Sequence, residues 1–105
     1  MVDLSQAKQI EGHEDYWVFP DGRVYSNKLW RGKRGRFLNP PLRTCGKKKY
    51  RTVSLCGKKG RVLKSLHVLV AEAFIGPRPT INGKRTEVDH IDGNSLNNHV
   101  DNLRY

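Results

Sequence analysis

Tyr50-Arg51-Thr52-Val53-Ser54-Leu55, Cys56-Gly57-Lys58-Lys59-Gly60, Arg61-Val62-Leu63-Lys64-Ser65-Leu66 and His67-Val68-Leu69-Val70-Ala71-Glu72-Ala73-Phe74 run on without interruption. The first block alternates polar or basic with apolar side chains, the period of a half-buried strand. The second is a glycine-bounded turn, and the third is expected to pair back on the first. In the fourth the period changes: Leu66, Leu69, Val70 and Ala73 recur at i, i+3, i+4 and i+7, which predicts an amphipathic helix. Ser65 stands where an N-cap belongs, and Gly76-Pro77 stops the helix. A hairpin feeding directly into a helix predicts an α+β fold, a small antiparallel sheet region with one helix. One face of the hairpin is expected to be apolar. The other presents Arg51, Arg61 and Lys64, and a basic ribbon of this kind fits a DNA major groove.

Upstream, Tyr16-Trp17-Val18-Phe19, the turn Pro20-Asp21-Gly22 and Arg23-Val24-Tyr25-Ser26 read as another hairpin. Lys28 to Gly35 is basic and contains glycine, and is expected as a loop. Phe37-Leu38 starts a strand that Pro40-Pro41 interrupts. Downstream, Pro77 to Lys84 is expected as a loop and Glu87 to Ile91 as a short strand before a tight turn at Asp92-Gly93-Asn94. The chain has 105 residues, enough for one small domain. Within it we expect a flexible N-terminus over residues 1–9, a basic β-rich region over 10–65, and the helix with the remaining C-terminal segment over 66–105.

Charge is concentrated, not spread. The formal net charge is +10, from 20 Lys and Arg against 10 Asp and Glu. Fourteen of the basic residues lie between Lys28 and Lys64: Lys28, Arg31, Lys33, Arg34, Arg36, Arg43, Lys47, Lys48, Lys49, Arg51, Lys58, Lys59, Arg61 and Lys64. No Asp or Glu interrupts that segment; five acids precede it and five come after. Like charges at this density repel one another, and a polyanion relieves the cost while releasing its own counterions. Nucleic acid is therefore the expected partner, with these residues as its contacts. Trp30, followed closely by Arg31, Lys33, Arg34 and Arg36, is expected either to stack or wedge against it or to anchor the core.

Other classes drop out. The longest apolar-rich stretch, Leu66 to Ile75, includes His67 and Glu72 and is about half the length needed to cross a bilayer. Met1 to Ile10 lacks the apolar core of a signal peptide, so a cytoplasmic location without membrane contact is expected. Cys45 and Cys56 are the two cysteines and form no C-x-x-C pair, so no zinc site is expected.

The residues able to do chemistry gather near the end: Val88-Asp89-His90-Ile91-Asp92-Gly93-Asn94, then Asn97-Asn98, then Asp101-Asn102-Leu103. A carboxylate beside a histidine suits metal-assisted phosphodiester hydrolysis. The carboxylate holds a hard divalent cation, and the imidazole takes a proton from the attacking water. Neighbouring residues on a flat strand point to opposite faces, so Asp89 and His90 must straddle a strand end or bend.

This string resembles the HNH motif of the phage- and intron-encoded HNH homing endonucleases. Leu66 to Ile75 is similar to that family's helix before the motif. Ile10-Glu11-Gly12-His13-Glu14-Asp15-Tyr16 and Gly22-Arg23-Val24-Tyr25-Ser26 resemble its N-terminal DNA-binding module. The resemblance implies a ββα-metal fold, double-stranded DNA as partner, and one divalent ion, Mg²⁺ or Mn²⁺. It also implies a phage-encoded protein acting in a bacterial host. Carried over residue by residue, it makes Asp89 a metal ligand, His90 the general base, and Asn102 the residue that bonds the backbone and keeps the His90 loop in shape. Asp92, Gly93 and Asn94 take the structural turn. The implied activity is hydrolysis of DNA phosphodiester bonds, by nicking or by cutting both strands.

One departure qualifies this. The family's last motif residue sits on a helix that would come after Tyr105, so the motif reads as C-terminally incomplete, to be finished by a second chain or a C-terminal segment. The alternative reading is a catalytically inactive DNA-binding module, a remnant or regulator derived from such a nuclease.

Overall fold

A computed structural model describes residues 3–57 and 60–105. Lys58 and Lys59, and the side chains of Trp30, Cys45 and Arg85, lie outside the described part.

Four strands form the first sheet in the order of the chain: β1 (Lys8–Ile10), β2 (His13–Val18), β3 (Val24–Trp30) and β4 (Lys33–Phe37). All pairings are antiparallel. The expected Tyr16 to Ser26 hairpin is present as β2–β3, with Val18 opposite Val24 across the Pro20-Asp21-Gly22 turn. Two expectations are corrected. Lys8 and Gln9, assigned to a frayed terminus, pair with Val18 and Trp17 as an edge strand. Lys28 to Gly35, expected as a loop, is largely strand: Trp30 pairs with Lys33 across a two-residue turn at Arg31 (φ 50°) and Gly32 (φ 79°). Two successive positive φ angles match the right-handed twist of a hairpin. Basic side chains on a solvent-facing sheet cost little, so the charge that suggested a loop does not oppose strand pairing.

The second sheet holds β5 (Leu42–Cys45), β6 (Lys48–Gly57) and β7 (Gly60–Ser65), again antiparallel neighbours. The hairpin expected from residues 50–66 is β6–β7, with Val53 opposite Lys64 and Leu55 opposite Val62. Its burial is lopsided. Thr52, Val53 and Leu55 on β6 are buried, whereas Arg61 to Lys64 on β7 are all exposed, including Val62 and Leu63. The expected apolar face is therefore supplied mainly by the central strand, because β7 is the edge and nothing covers its outer side among the described residues.

Helix α1 (Leu66–Phe74) leaves β7 without a loop. Ser65 sits at the N-cap in an extended conformation but makes no side-chain capping bond. At the other end Ile75 and Gly76 both donate backbone N–H to the Ala71 carbonyl, and Gly76 takes φ 130°. Of the expected stripe, Leu66, Leu69 and Val70 are buried and Ala73 is partly buried against the core, while Ala71, outside the stripe, is buried as well. The buried residues join Ile10, Tyr16, Val18, Val24, Val53, Leu55 and Leu103 in one core. That core is where both sheets and the C-terminal segment meet. Leu55 is 0% exposed within it, so Leu55→Ala should cost about 2–5 kcal/mol of stability, read by chemical denaturation.

After α1, β8 (Thr80–Ile81) and β9 (Lys84–Arg85) form a small ribbon where a loop was expected. Asn82-Gly83 is its turn, with φ 53° and 78°, the Asn-Gly hairpin signal that proline at positions 77 and 79 obscured. Finally β10 (Asp89–His90) pairs with β11 (Leu103–Arg104), and a single 3-10 turn (Val100–Asn102) leads into β11. The expected strand from Glu87 to Ile91 is thus shorter than its sequence suggested.

Candidate functional site

The β10–β11 pair places Asp89 opposite Arg104 and His90 opposite the buried Leu103. Side chains alternate along a strand, so these two neighbours part company. Asp89 is exposed, and Arg104 Nε donates to its Oδ2 at 2.9 Å. His90 is half-buried and turns toward the start of α1, where its ring lies 5.0 Å from that of His67. His67 in turn meets Tyr50 edge-on at 6.3 Å.

The loop from His90 to Leu103 is held by side chains, as its asparagine content allows. Asn102 Oδ1 accepts the Asp92 backbone N–H at 3.0 Å. Its Nδ2 donates to Asp92 Oδ1 and to the Asn97 carbonyl, both at 2.9 Å. Asp92 also accepts from the Asn94 N–H at 2.8 Å and from Asn97 Nδ2 at 3.0 Å. These bonds, the Asn97 side chain first, hold the Asp92 carboxyl below the usual carboxylate range. Asp92 is thus an internal anchor of the turn. Ile91 N–H donates to the Asn102 carbonyl at 2.8 Å, and Gly93 N–H to the His90 carbonyl at 2.9 Å. Asn98 is buried, with its Oδ1 3.0 Å from His90 Nε2.

His67, which opens an apolar helix and by sequence alone suggests only packing, is a further member of this group. Its Nδ1 is buried without a hydrogen-bond partner. Burial, followed by the charges of His90 and Arg78, pushes its pKa down to about 4. His67 is therefore neutral at neutral pH and adds no cation beside His90. A folded value below the unfolded one, near 6.5, means that the unfolded chain binds the proton more readily. Its contribution to stability is full above about pH 6.5 and is lost as pH falls toward 4. Thermal melts over that interval should show the decline, and His67→Gln should flatten it. The depressed Asp92 carboxyl acts lower, as pH falls through and below its ordinary 3.8.

A cleft of about 530 Å³ opens beside the loop, and its lining includes Asp89, His90, Lys47, Lys48 and Lys49. Those lysines occupy the β5–β6 turn and the start of β6. The Ser95 hydroxyl donates to the Lys49 carbonyl and ties the turn to the His90 loop. The lining also includes Glu87, two residues before Asp89. Among the described residues no three His, Cys, Asp or Glu side chains cluster as a metal-binding group. Carboxylate oxygens at an exposed cleft suit a hard, largely hydrated cation, which takes one or two protein carboxylates and otherwise water or phosphate.

The remaining basic residues are spread. Arg31, Lys33, Arg34 and Arg36 are exposed on the β3–β4 hairpin, Arg43 on β5, and Arg61 and Lys64 on β7. Lys28 lies 3.6 Å from the Asp15 carboxylate. Arg51 is half-buried, and its Nη1 donates to the Pro40 carbonyl at 2.8 Å, so it braces the β5 approach and does not stand out on the face expected of it. Sequence patterning gives no site role to His67, Ser95 and Arg104, and places Asn98 only within the asparagine-rich run. Only their packing distinguishes them; Asn98 carries the one legible hint, an asparagine inside an otherwise turn-forming run. No helix among the described residues is long and apolar enough to cross a membrane.

Comparison with known proteins shows what this chain resembles. Residues 64–105 match the family model described as HNH endonuclease. The chain is 36% identical over 97 residues to YosQ, a Bacillus subtilis SPbeta prophage-derived protein assigned by name to the HNH homing endonucleases, covering 91% of this chain and 49% of that one. It is 31% identical over 104 residues to an uncharacterized HNH endonuclease of Acanthamoeba polyphaga mimivirus, covering 99% of this chain and 23% of that one. Among solved structures, that of the HNH homing endonuclease I-HmuI, on DNA binding and cleavage, matches with a TM-score of 0.70 and 31% identity. The match covers 93% of this chain and 50% of the other. The chain thus spans about half the length, or less, of these relatives. Residues 64–105 thus carry the HNH endonuclease pattern, and nearly the whole chain, with its antiparallel sheets and one helix, is similar to HNH homing endonucleases.

Proposed function

We propose that this chain binds double-stranded DNA and hydrolyses its phosphodiester bonds in the presence of a divalent metal ion, nicking one strand or cutting two. The observation that carries this reading is the shared cleft: Asp89 and His90 line it together with Lys47, Lys48 and Lys49. The lysines bind the phosphates that flank the reacting one and set the backbone against the cleft. His90 takes the proton of the attacking water, a task that suits imidazole because it exchanges protons near neutral pH. Asn102 holds the 91–97 turn so that His90 keeps its place when DNA binds. Asp89, with Glu87 nearby, would hold Mg²⁺ or Mn²⁺. When bound, that ion supplies stabilisation of the negative charge that develops on the phosphate and the leaving oxygen. The prophage origin of one relative supports a phage-encoded protein working in a bacterial host.

A second reading has one observation in its favour. Arg104 occupies Asp89 Oδ2, which competes with a cation for that oxygen. An inactive DNA-binding module would keep that ion pair on DNA.

The test is relaxation of supercoiled plasmid with Mg²⁺ or Mn²⁺, with and without a chelator, beside a gel-shift measurement. Metal-dependent relaxation supports the nuclease. Tight DNA binding with plasmid left supercoiled at every metal concentration moves the assignment to the second reading.

A further inference from the structure

Asn98 joins two parts of the chain that the motif treats separately. It lies in the His90–Leu103 loop and is 6% exposed. On one side, its Oδ1 is 3.0 Å from His90 Nε2. A carboxamide oxygen only accepts, so this contact is a hydrogen bond only when Nε2 carries the ring proton. The lone pair then resides on Nδ1. On its other side, Asn98 rests on the β2–β3 turn. Gly22 approaches so closely that a Cβ there would lie 3.2 Å from Asn98 Cβ and 3.3 Å from its carbonyl oxygen. Two residues on, Val100 N–H donates to the Pro20 carbonyl at 2.7 Å. The turn therefore backs Asn98, and Asn98 backs His90. The His67 ring, 5.0 Å away, packs against the His90 ring from α1 and limits its rotation.

We infer that Asn98 is a positioning residue for His90, selecting the ring tautomer that leaves Nδ1 as the proton acceptor, and that the Pro20–Gly22 turn of the first sheet holds Asn98 in place. The catalytic half of this statement rests on the proposed function; the tautomer half does not. The first sheet then does more than lie along DNA. Its turn is part of the support of the reacting group, which accounts for a glycine at position 22, where φ is 93° and a side chain would displace Asn98. A hydrogen bond to the ring nitrogen remote from the reaction is a recurrent way of setting which imidazole nitrogen is free.

A purely structural asparagine would affect folding but leave the ring tautomer alone, and this separates the two roles. The measurement is long-range ¹H–¹⁵N correlation of the imidazoles in the ¹⁵N-labelled full chain at about pH 8, where an ordinary imidazole is neutral. His90 is assigned by the loss of its signals in His90→Ala. The wild type should show one tautomer, protonated on Nε2. Asn98→Leu, which keeps the volume and removes the acceptor, should make the Nδ1-protonated form measurable. Asn98→Asp, which keeps an acceptor oxygen, should restore the single tautomer. Gly22→Ala should move the ratio in the same direction as Asn98→Leu, by a smaller amount. A wild-type ring protonated on Nδ1 overturns the inference without any variant. So does an Asn98→Leu ratio equal to that of the wild type. Because the readout needs no cleavage, a chain that fails to nick DNA leaves it intact. In a chain that nicks, Asn98→Leu should lower kcat with KM nearly unchanged and Asn98→Asp should recover part of it; a loss confined to KM would remove the positioning role.

Discussion

Replacing His90 by alanine is expected to lower metal-dependent plasmid nicking by about 100- to 10,000-fold, the range that a positioned proton acceptor contributes. DNA affinity should change little. His90 is half-buried, and on the proposed reading the cleft lysines, not its imidazole, carry the charge that meets phosphate. The variant should also fold, because the loop around His90 is held by Asn102, Asp92 and Asn97 through bonds that do not involve the imidazole. His90→Ala removes one bond from Asn98 and one ring contact from His67. Circular dichroism and gel shift on the same preparation separate loss of chemistry from loss of fold or of binding. Equal nicking by the variant and the wild type would remove His90 from the reaction. Weak binding by the variant would instead give the imidazole a role in holding DNA.

The second large effect is electrostatic. If six to ten of the basic residues meet phosphates, the association constant should fall by about a thousandfold or more between 50 and 200 mM salt. Within that total, Lys47, Lys48 and Lys49 have a distinct place, since they line the cleft of Asp89 and His90. Changing all three to glutamine should reduce the slope of log affinity against log salt by about 2.7, from roughly 0.9 per phosphate contact. It should reduce nicking further than the lost affinity explains, because on the proposed reading the same residues set the backbone against the cleft. Changing Arg31, Lys33 and Arg34 on the β3–β4 hairpin should lower affinity with a smaller effect on the rate at saturating DNA. Equal rate losses for the two triple variants would mean that the lysine turn is one more anchor and not the one that aligns the reacting phosphate. A slope unaltered by both would place DNA on another surface.

Much of the fold is written locally. The alternation in residues 50–55 and the change to helical spacing at Leu66 are properties of neighbouring side chains, and the β6–β7 hairpin and α1 match them closely. Where local signals conflict, reading fails. Lys28 to Gly35 looks like a loop by charge and glycine content, yet β3 and β4 form because register and a two-residue turn outweigh propensity on an exposed sheet. The same limit hides β8–β9, since two-residue strands leave almost no periodic trace. Arg51 shows the limit for charge. It belongs to the acid-free run, but its guanidinium is bonded to the Pro40 carbonyl, a partner eleven residues away that no composition count can identify.

In the candidate site the division is sharper. Asp89 and His90 are adjacent in the chain, so their proximity needs no folding, and the turn-forming Asp92-Gly93-Asn94 string carries its own geometry. Long-range contacts decide the rest. Lys47 to Lys49 reach the cleft because β5 and β6 pair and Ser95 binds the Lys49 carbonyl. His67 reaches His90 because α1 packs its apolar stripe on the same core as Leu103. Asn98 reaches both His90 and Gly22 because the β2–β3 turn docks on the final loop. By itself the sequence determined which chemical groups this protein owns, the short-range turns that hold them, and the surplus of positive charge beside them. Only the tertiary structure decided which cations face the imidazole, which are spent on the fold, and which ring nitrogen is left free. Those outcomes depend on burial and on contacts between residues 8 to 46 positions apart, and neither is a property of neighbouring side chains alone.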